Sequence, residues 1–178
     1  MAQKIITIVR VTGKQGSSVA EIFLREPGWH VRVHLIAGDL NDASSLTNAF
    51  AGSTIIFGVT DFWGNLNDPS VQAATQKSGR LINVEGYDVE VQQGRNIVEA
   101  ANATVDTLER FVLSMLSPTR KLSGGRCTHN YHFDAKWEAV EYLRERYPEL
   151  ERKTSLLQVG LYMTNWNSSP LSMPAKVS

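Results

Sequence analysis

His132 and Lys136 stand four residues apart where a helix is predicted to begin, so they share one face of it. A histidine can serve as a general acid near neutral pH, and a lysine beside it adds positive charge. Lys136, Val140, Leu143 and Tyr147 follow an i, i+4, i+7, i+11 pattern, which marks the side of the helix that faces a sheet. A lysine in the first turn of such a stripe points into a cleft rather than into water. Tyr131 is one residue away and faces about 100° round the helix. Both side chains also have plain structural uses, His132 as a hydrogen-bonded residue and Lys136 as a stem laid along apolar surface. A second signal is Val11-Thr12-Gly13-Lys14-Gln15-Gly16, between a predicted strand and a predicted helix. There the glycines let backbone approach a pyrophosphate, and the helix N-terminus attracts its charge. A bland strand-to-helix turn uses two glycines as well. Thr60, Asp61 and Ser114 end predicted strands at the carboxyl edge, where ligands of open α/β sheets collect. Phe62 and Trp63 follow, suited either to stacking on a ligand or to filling core. His129, Tyr131 and His132 have no third ligand at a suitable spacing, so no metal site is expected.

The elements that must hold these residues alternate. Strands are predicted over residues 4–9, 29–37, 54–59, 110–115 and 155–160. Helices are predicted over 17–25, 44–51, 70–77, 88–103 and 134–147, with Asp42 as a cap and Pro148 as a stop. This alternation implies βαβ units and a parallel sheet covered by helices on both faces.

Composition agrees with a folded domain of this kind. The 178 residues are 42% hydrophobic, enough to build a core without disulfide staples. Eighteen basic residues balance eighteen acidic ones, which argues against general nucleic-acid binding. Acidic side chains dominate residues 61–109 and basic ones 110–153, as two solvated helix faces would. No apolar run reaches the ~18 residues of a membrane span, and Cys127 is alone, so no disulfide framework exists. The expected compartment is the cytoplasm, with the nucleus also open. One domain is expected over 1–166, followed by a tail over 167–178.

Seven segments in order carry a specific resemblance: Val11 to Gly16, Gly38-Asp39-Leu40, Val59-Thr60-Asp61-Phe62-Trp63, Gln92 to Ile97, Arg110-Phe111-Val112, His132 to Lys136, and Gly160 to Trp166. Together they resemble the NmrA-like family, atypical members of the short-chain dehydrogenase superfamily, and most closely its fungal members. The resemblance implies a Rossmann domain that binds NADP or NAD, followed by a smaller C-terminal domain. It implies that Thr12, Gly13, Gln15, Gly16, Arg32, Asp39, Thr60, Asp61, Phe62 and Lys136 line the cofactor site. It places Lys136, His132, Tyr131 and Ser114 at the catalytic position. Asp39 fits the residue beside the adenine, and equally a helix-leading aspartate.

The chain departs from the family pattern in three main places. Arg10 stands where the family turn opens with glycine, and it either obstructs the cofactor or offers charge to a phosphate. Trp29-His30-Val31-Arg32 runs straight into Val33 to Asp39, without the dozen or so residues that a parallel crossover needs. One strand over 29–37 is therefore expected in place of two, paired with residues 4–9, giving an order of 2-1-3-4-5. Arg32 and His34 there replace the carboxylate usual for NAD and favour NADP. As its family relatives often do, the chain has His132 at the position of the superfamily's proton-donating tyrosine, and Met115 holds the family's usual second serine position. The sequence ends soon after Trp166, so the family's C-terminal substrate domain is expected to be missing.

The resulting expectation is a weakly nicotinamide-binding protein, non-catalytic or weakly catalytic, of the redox-sensing regulatory type. The alternative is an NADPH-dependent reductase using Lys136 with His132 or Tyr131. A third is an interaction module without cofactor. A protein partner or self-association is also expected, with no membrane and no direct nucleic-acid contact.

Overall fold

The structure is a computed structural model that describes residues 4–27, 33–160, 162 and 165. A parallel sheet of four strands organises it, in the order β1-β2-β3-β4: β1 (Ile6–Ile8), β2 (Ile55–Gly58), β3 (Arg110–Met115) and β4 (Thr154–Gln158). The registers are parallel throughout, with Ile8 opposite Phe57, Phe57 opposite Val112 and Val112 opposite Ser155. Helices make every crossover. Between β1 and β2 lie α1 (Lys14–Arg25) and α2 (Ala43–Phe50). Between β2 and β3 lie α3 (Phe62–Leu66), α4 (Pro69–Ser78) and α5 (Ile82–Ala103). Between β3 and β4 lie α6 (Thr119–Leu122), α7 (Tyr131–Arg146) and α8 (Pro148–Arg152). This is the α/β, Rossmann-like architecture that the alternation of elements implies.

Local chemistry sets the helix starts. Asp42, Asp61 and Asp68 cap α2, α3 and α4, accepting from the backbone N–H of Ser44, Gly64 and Ser70. Pro148 stops α7 as expected, with Tyr147 leaving the helical conformation just before it, and also opens α8 as its first residue, where its missing N–H costs nothing. The polar stretch after β2 is helical from Phe62 because Asp61 caps it.

The core lies between the sheet and the pair α5–α7. Ile56, Phe111, Leu113 and Met115 of the strands meet Ile97, Val98 and Ala101 of α5 and Ala139, Val140 and Leu143 of α7. Two glycines permit this fit. A Cβ on Gly94 would stand 2.7 Å from Ala139 Cβ, and one on Gly58 would stand 2.9 Å from Ile97 Cγ2. Residues 92–97 owe much of their pattern to this packing. Gln93 exchanges two hydrogen bonds of 3.1 Å with Asn65 and donates to Asn41, while Asn96 donates to the Leu40 carbonyl at 2.8 Å. These contacts pin α3 and the entry to α2 onto α5.

The expected strand over 29–37 is corrected over its described part, residues 33–37. Residues 33–39 form no strand, and among the described residues β1 is an edge strand of a four-stranded sheet, so the order 2-1-3-4-5 does not hold. Residues 28–32, and with them Arg32, lie outside the described residues. The physical reason is burial. Val33 and Leu35 are 61% and 82% exposed, so no apolar contact offsets the cost of fixing an extra strand. The expected tail over 167–178 also lies outside the described residues. At the far edge, Leu156 and Leu157 of β4 are both exposed. Among the described residues, no helix is long and apolar enough to cross a membrane.

Candidate functional site

A cleft of about 810 Å³ opens along the carboxyl ends of the four strands. Residues after β1 contribute Arg10, Thr12, Gly13, Lys14, Gln15 and Gly16. Residues after β2 contribute Thr60, Asp61, Phe62 and Trp63. Ser114 comes from β3, and His132 and Lys136 from α7. The cleft therefore unites nearly all the site residues expected from the sequence. Two lie elsewhere. Tyr131 lines a separate cavity, where its ring meets Tyr87 and His129 at 6.0 Å. Asp39 sits in the turn before α2, accepting from the Asn41 N–H at 2.9 Å, and is not among the cleft-lining residues.

The first wall is the glycine turn. The Arg10 carbonyl accepts from the Gly13 N–H at 2.8 Å, and Arg10 takes a left-handed backbone, with φ of +52°. Glycine adopts that conformation freely and other residues pay for it, so the family's glycine at this position answers a backbone demand that Arg10 meets under strain. A Cβ on Gly16 would lie 2.2 Å from the Arg10 carbonyl oxygen. Only glycine lets α1 start so close to the strand end. No side chain caps α1, which leaves its positive N-terminus to a ligand. The amide oxygen Gln15 Oε1, on a side chain that lines the cleft, is buried without a hydrogen-bond partner. Gln15 donates to the Tyr162 hydroxyl at 2.6 Å, and Lys14 lies over the Tyr162 ring.

Two ion pairs bear on the cleft. At its mouth Arg10 meets Asp61 at 2.6 Å, both partly exposed. At its floor Lys136 meets Glu90 of α5 at 2.7 Å, with side-chain exposures of 11% and 0%. The ammonium also donates to the Thr60 carbonyl at 2.9 Å and to Thr60 Oγ1 at 2.7 Å. Thr60 Oγ1 in turn donates to Glu90 Oε1 at 2.6 Å. All three N–H bonds of Lys136 thus have partners inside the protein. Glu90 Oε2 is buried with none.

His132 belongs to an aromatic group with Trp63, Phe62 and Phe133, at ring separations of 5.2, 5.8 and 4.8 Å. Burial, and then the charge of Lys136, hold its pKa below the usual histidine value. It is therefore neutral at pH 7. Trp63 stands exposed at the cleft edge.

Glu90 is the site residue that the sequence reading lacks. The signal for it was present. Glu90, Gly94, Ile97, Val98 and Ala101 fall on one stripe of α5, so an acid occupies a core position. Buried charges are paired, and Lys136 on the facing stripe of α7 is the partner. Among the described residues no group of three His, Cys, Asp or Glu could hold a metal.

The fold and the strand-end cleft define an α/β protein of the dinucleotide-binding architecture. The chain matches the NmrA-like family over residues 2–177 and belongs to that family. It is 28% identical over 137 residues to the "NmrA-like family domain-containing oxidoreductase lnaB" of Aspergillus flavus, which covers 70% of this chain. The chain spans 37% of that relative's length.

Proposed function

We propose that this chain is a nicotinamide-dinucleotide-binding protein of the regulatory, redox-sensing type, with little or no carbonyl-reducing activity. Membership of the family and the glycine turn support the ligand class. The uncapped start of α1 and the unpartnered Gln15 Oε1 fit a pyrophosphate and its flanking hydroxyls. Lys14, without a carboxylate partner among the described residues, is the cation at that end, Lys136 would face the nicotinamide ribose, and the exposed Trp63 offers flat surface near it, with Phe62 buried behind it. The cofactor is NADP or NAD, and His34, exposed in a stretch that forms no strand, gives no choice between them. When bound, the cofactor supplies a hydride donor or acceptor.

One observation carries the non-catalytic half of the proposal. Lys136 is saturated by Thr60 and Glu90, and the residue one turn before it in the cleft is a neutral histidine among aromatic rings rather than a tyrosine. Tyr131 faces the other cavity. An ammonium whose N–H bonds all have partners cannot also tune a proton donor without giving one up. The name of the Aspergillus relative favours a second reading, an NADPH-dependent reductase using Lys136 with His132.

The test is NADPH oxidation at 340 nm across a panel of aldehydes and ketones, run beside an NADPH binding titration. Binding without turnover supports the regulatory reading. Turnover abolished by Lys136→Ala, in a variant shown to be folded, puts the reductase first.

A further inference from the structure

Every strongly basic side chain in the cleft other than Lys14 is already matched to a carboxylate, and the Lys136 match is the unusual one. Glu90 is fully buried, comes from a different helix, and is not among the residues that line the cleft. It therefore reaches a ligand only through Lys136. A buried carboxylate with one oxygen unpartnered is costly to keep, and Thr60, which bonds both Glu90 and Lys136, could hold the lysine stem in place by itself through two contacts. What Thr60 cannot do is cancel the charge.

We propose that Glu90 is the charge-balancing partner of Lys136 and sets the preference of the cleft between oxidised and reduced nicotinamide. This assignment rests on the nucleotide-binding reading above. The oxidised ring carries a positive charge and the reduced ring none. A lone ammonium on the cleft floor would repel the oxidised form, whereas the Lys136–Glu90 pair is neutral and accepts both. His132 adds no charge at pH 7, and the Arg10–Asp61 pair at the mouth is neutral as well. The difference between the two redox forms therefore depends on one buried carboxylate.

The test measures dissociation constants of NADP+ and NADPH for the full chain, with 2′-phospho-ADP-ribose (ADP-ribose below), which keeps the phosphorylated adenosine end and lacks the nicotinamide, as a control for fold and for that end. Glu90→Gln keeps the shape and the hydrogen-bonding oxygen but loses the charge. The ratio Kd(NADP+)/Kd(NADPH) rises at least about tenfold, the effect of one uncompensated charge roughly 12 Å from the ring at an effective dielectric of about 20, and a closer charge gives more, while ADP-ribose affinity stays put. Glu90→Asp keeps the ratio close to wild type. Lys136→Met reads the same balance from the other side and lowers the ratio, which keeps the proposal testable if Glu90→Gln does not fold. The double variant Lys136→Met/Glu90→Gln returns the ratio towards wild type, because the pair is again neutral. An unchanged ratio in Glu90→Gln with all three ligands still bound overturns the role of Glu90 and leaves the nucleotide reading intact. Failure of the wild-type chain to bind any of the three overturns both.

Discussion

Replacing Arg10 with glycine separates two effects that the structure joins in one residue. The backbone effect is the left-handed φ of +52°, which costs a non-glycine residue about 1–2 kcal/mol. Against its relief stand the Arg10–Asp61 ion pair, partly exposed and worth about 0–1 kcal/mol, and the extra chain entropy of glycine, about 0.5–1 kcal/mol. These nearly cancel, so urea unfolding of Arg10→Gly should give a stability within about 1 kcal/mol of wild type. Arg10→Ala keeps the strain and loses the pair, and should fall about 1 kcal/mol below Arg10→Gly. The second effect is on the ligand. The guanidinium stands at the cleft mouth tied to Asp61, and its removal opens that approach. NADPH affinity should rise several-fold in Arg10→Gly, measured by fluorescence titration. A tenfold loss instead, about 1.4 kcal/mol, would show that Arg10 contacts a phosphate. A stability drop of more than about 2 kcal/mol would refute the strain argument, because the ion pair alone cannot supply it.

Three further outcomes follow from the same geometry. Lys136→Met leaves Glu90 buried and unpaired and should cost about 3–5 kcal/mol in chemical denaturation, with the double variant Lys136→Met/Glu90→Leu recovering much of it. A double variant no more stable than the single one would mean that the pair carries no such coupling. His132 has a folded-state pKa below its unfolded value, so the unfolded chain binds the proton more readily. Stability is then full above about pH 6.5 and declines as pH falls below it. Tm scans between pH 7.5 and 5 should show this decline, flattened in His132→Gln, and identical slopes would refute it. Gly16→Ala places a methyl 2.2 Å from the Arg10 carbonyl oxygen and 2.9 Å from Val11 Cα. Backbone does not swing aside as a side chain does, so the turn must open at a cost of about 1–3 kcal/mol, with loss of NADPH binding. Unchanged affinity would show that the turn does not hold the ligand.

The sequence carried the α/β alternation because periodicity and capping are local. Asp42 leads α2 as its type suggests, and the Lys136, Val140, Leu143 stripe packs inward on the sheet. The expected strand is absent over its described part, residues 33–37, because an apolar run states only a preference. Whether it becomes a strand depends on a covering layer, which no local pattern reveals. The cleft residues were legible wherever they followed a strand. Glu90 was missed because it sits mid-helix, far from any strand end, and acts through a lysine 46 positions away. Arg10 was visible as an anomaly, but its pairing with Asp61 required the two strand ends to be placed side by side.

The central claim is tested most directly by titrating the wild-type chain with NADPH while following tryptophan emission. Trp63 stands at the cleft edge, within the range over which tryptophan would transfer energy to a reduced nicotinamide bound in that cleft. The account predicts saturable, one-to-one quenching of tryptophan emission with sensitised NADPH emission, reversed by excess ADP-ribose. A linear response without saturation up to millimolar NADPH, or one that ADP-ribose does not reverse, would contradict it.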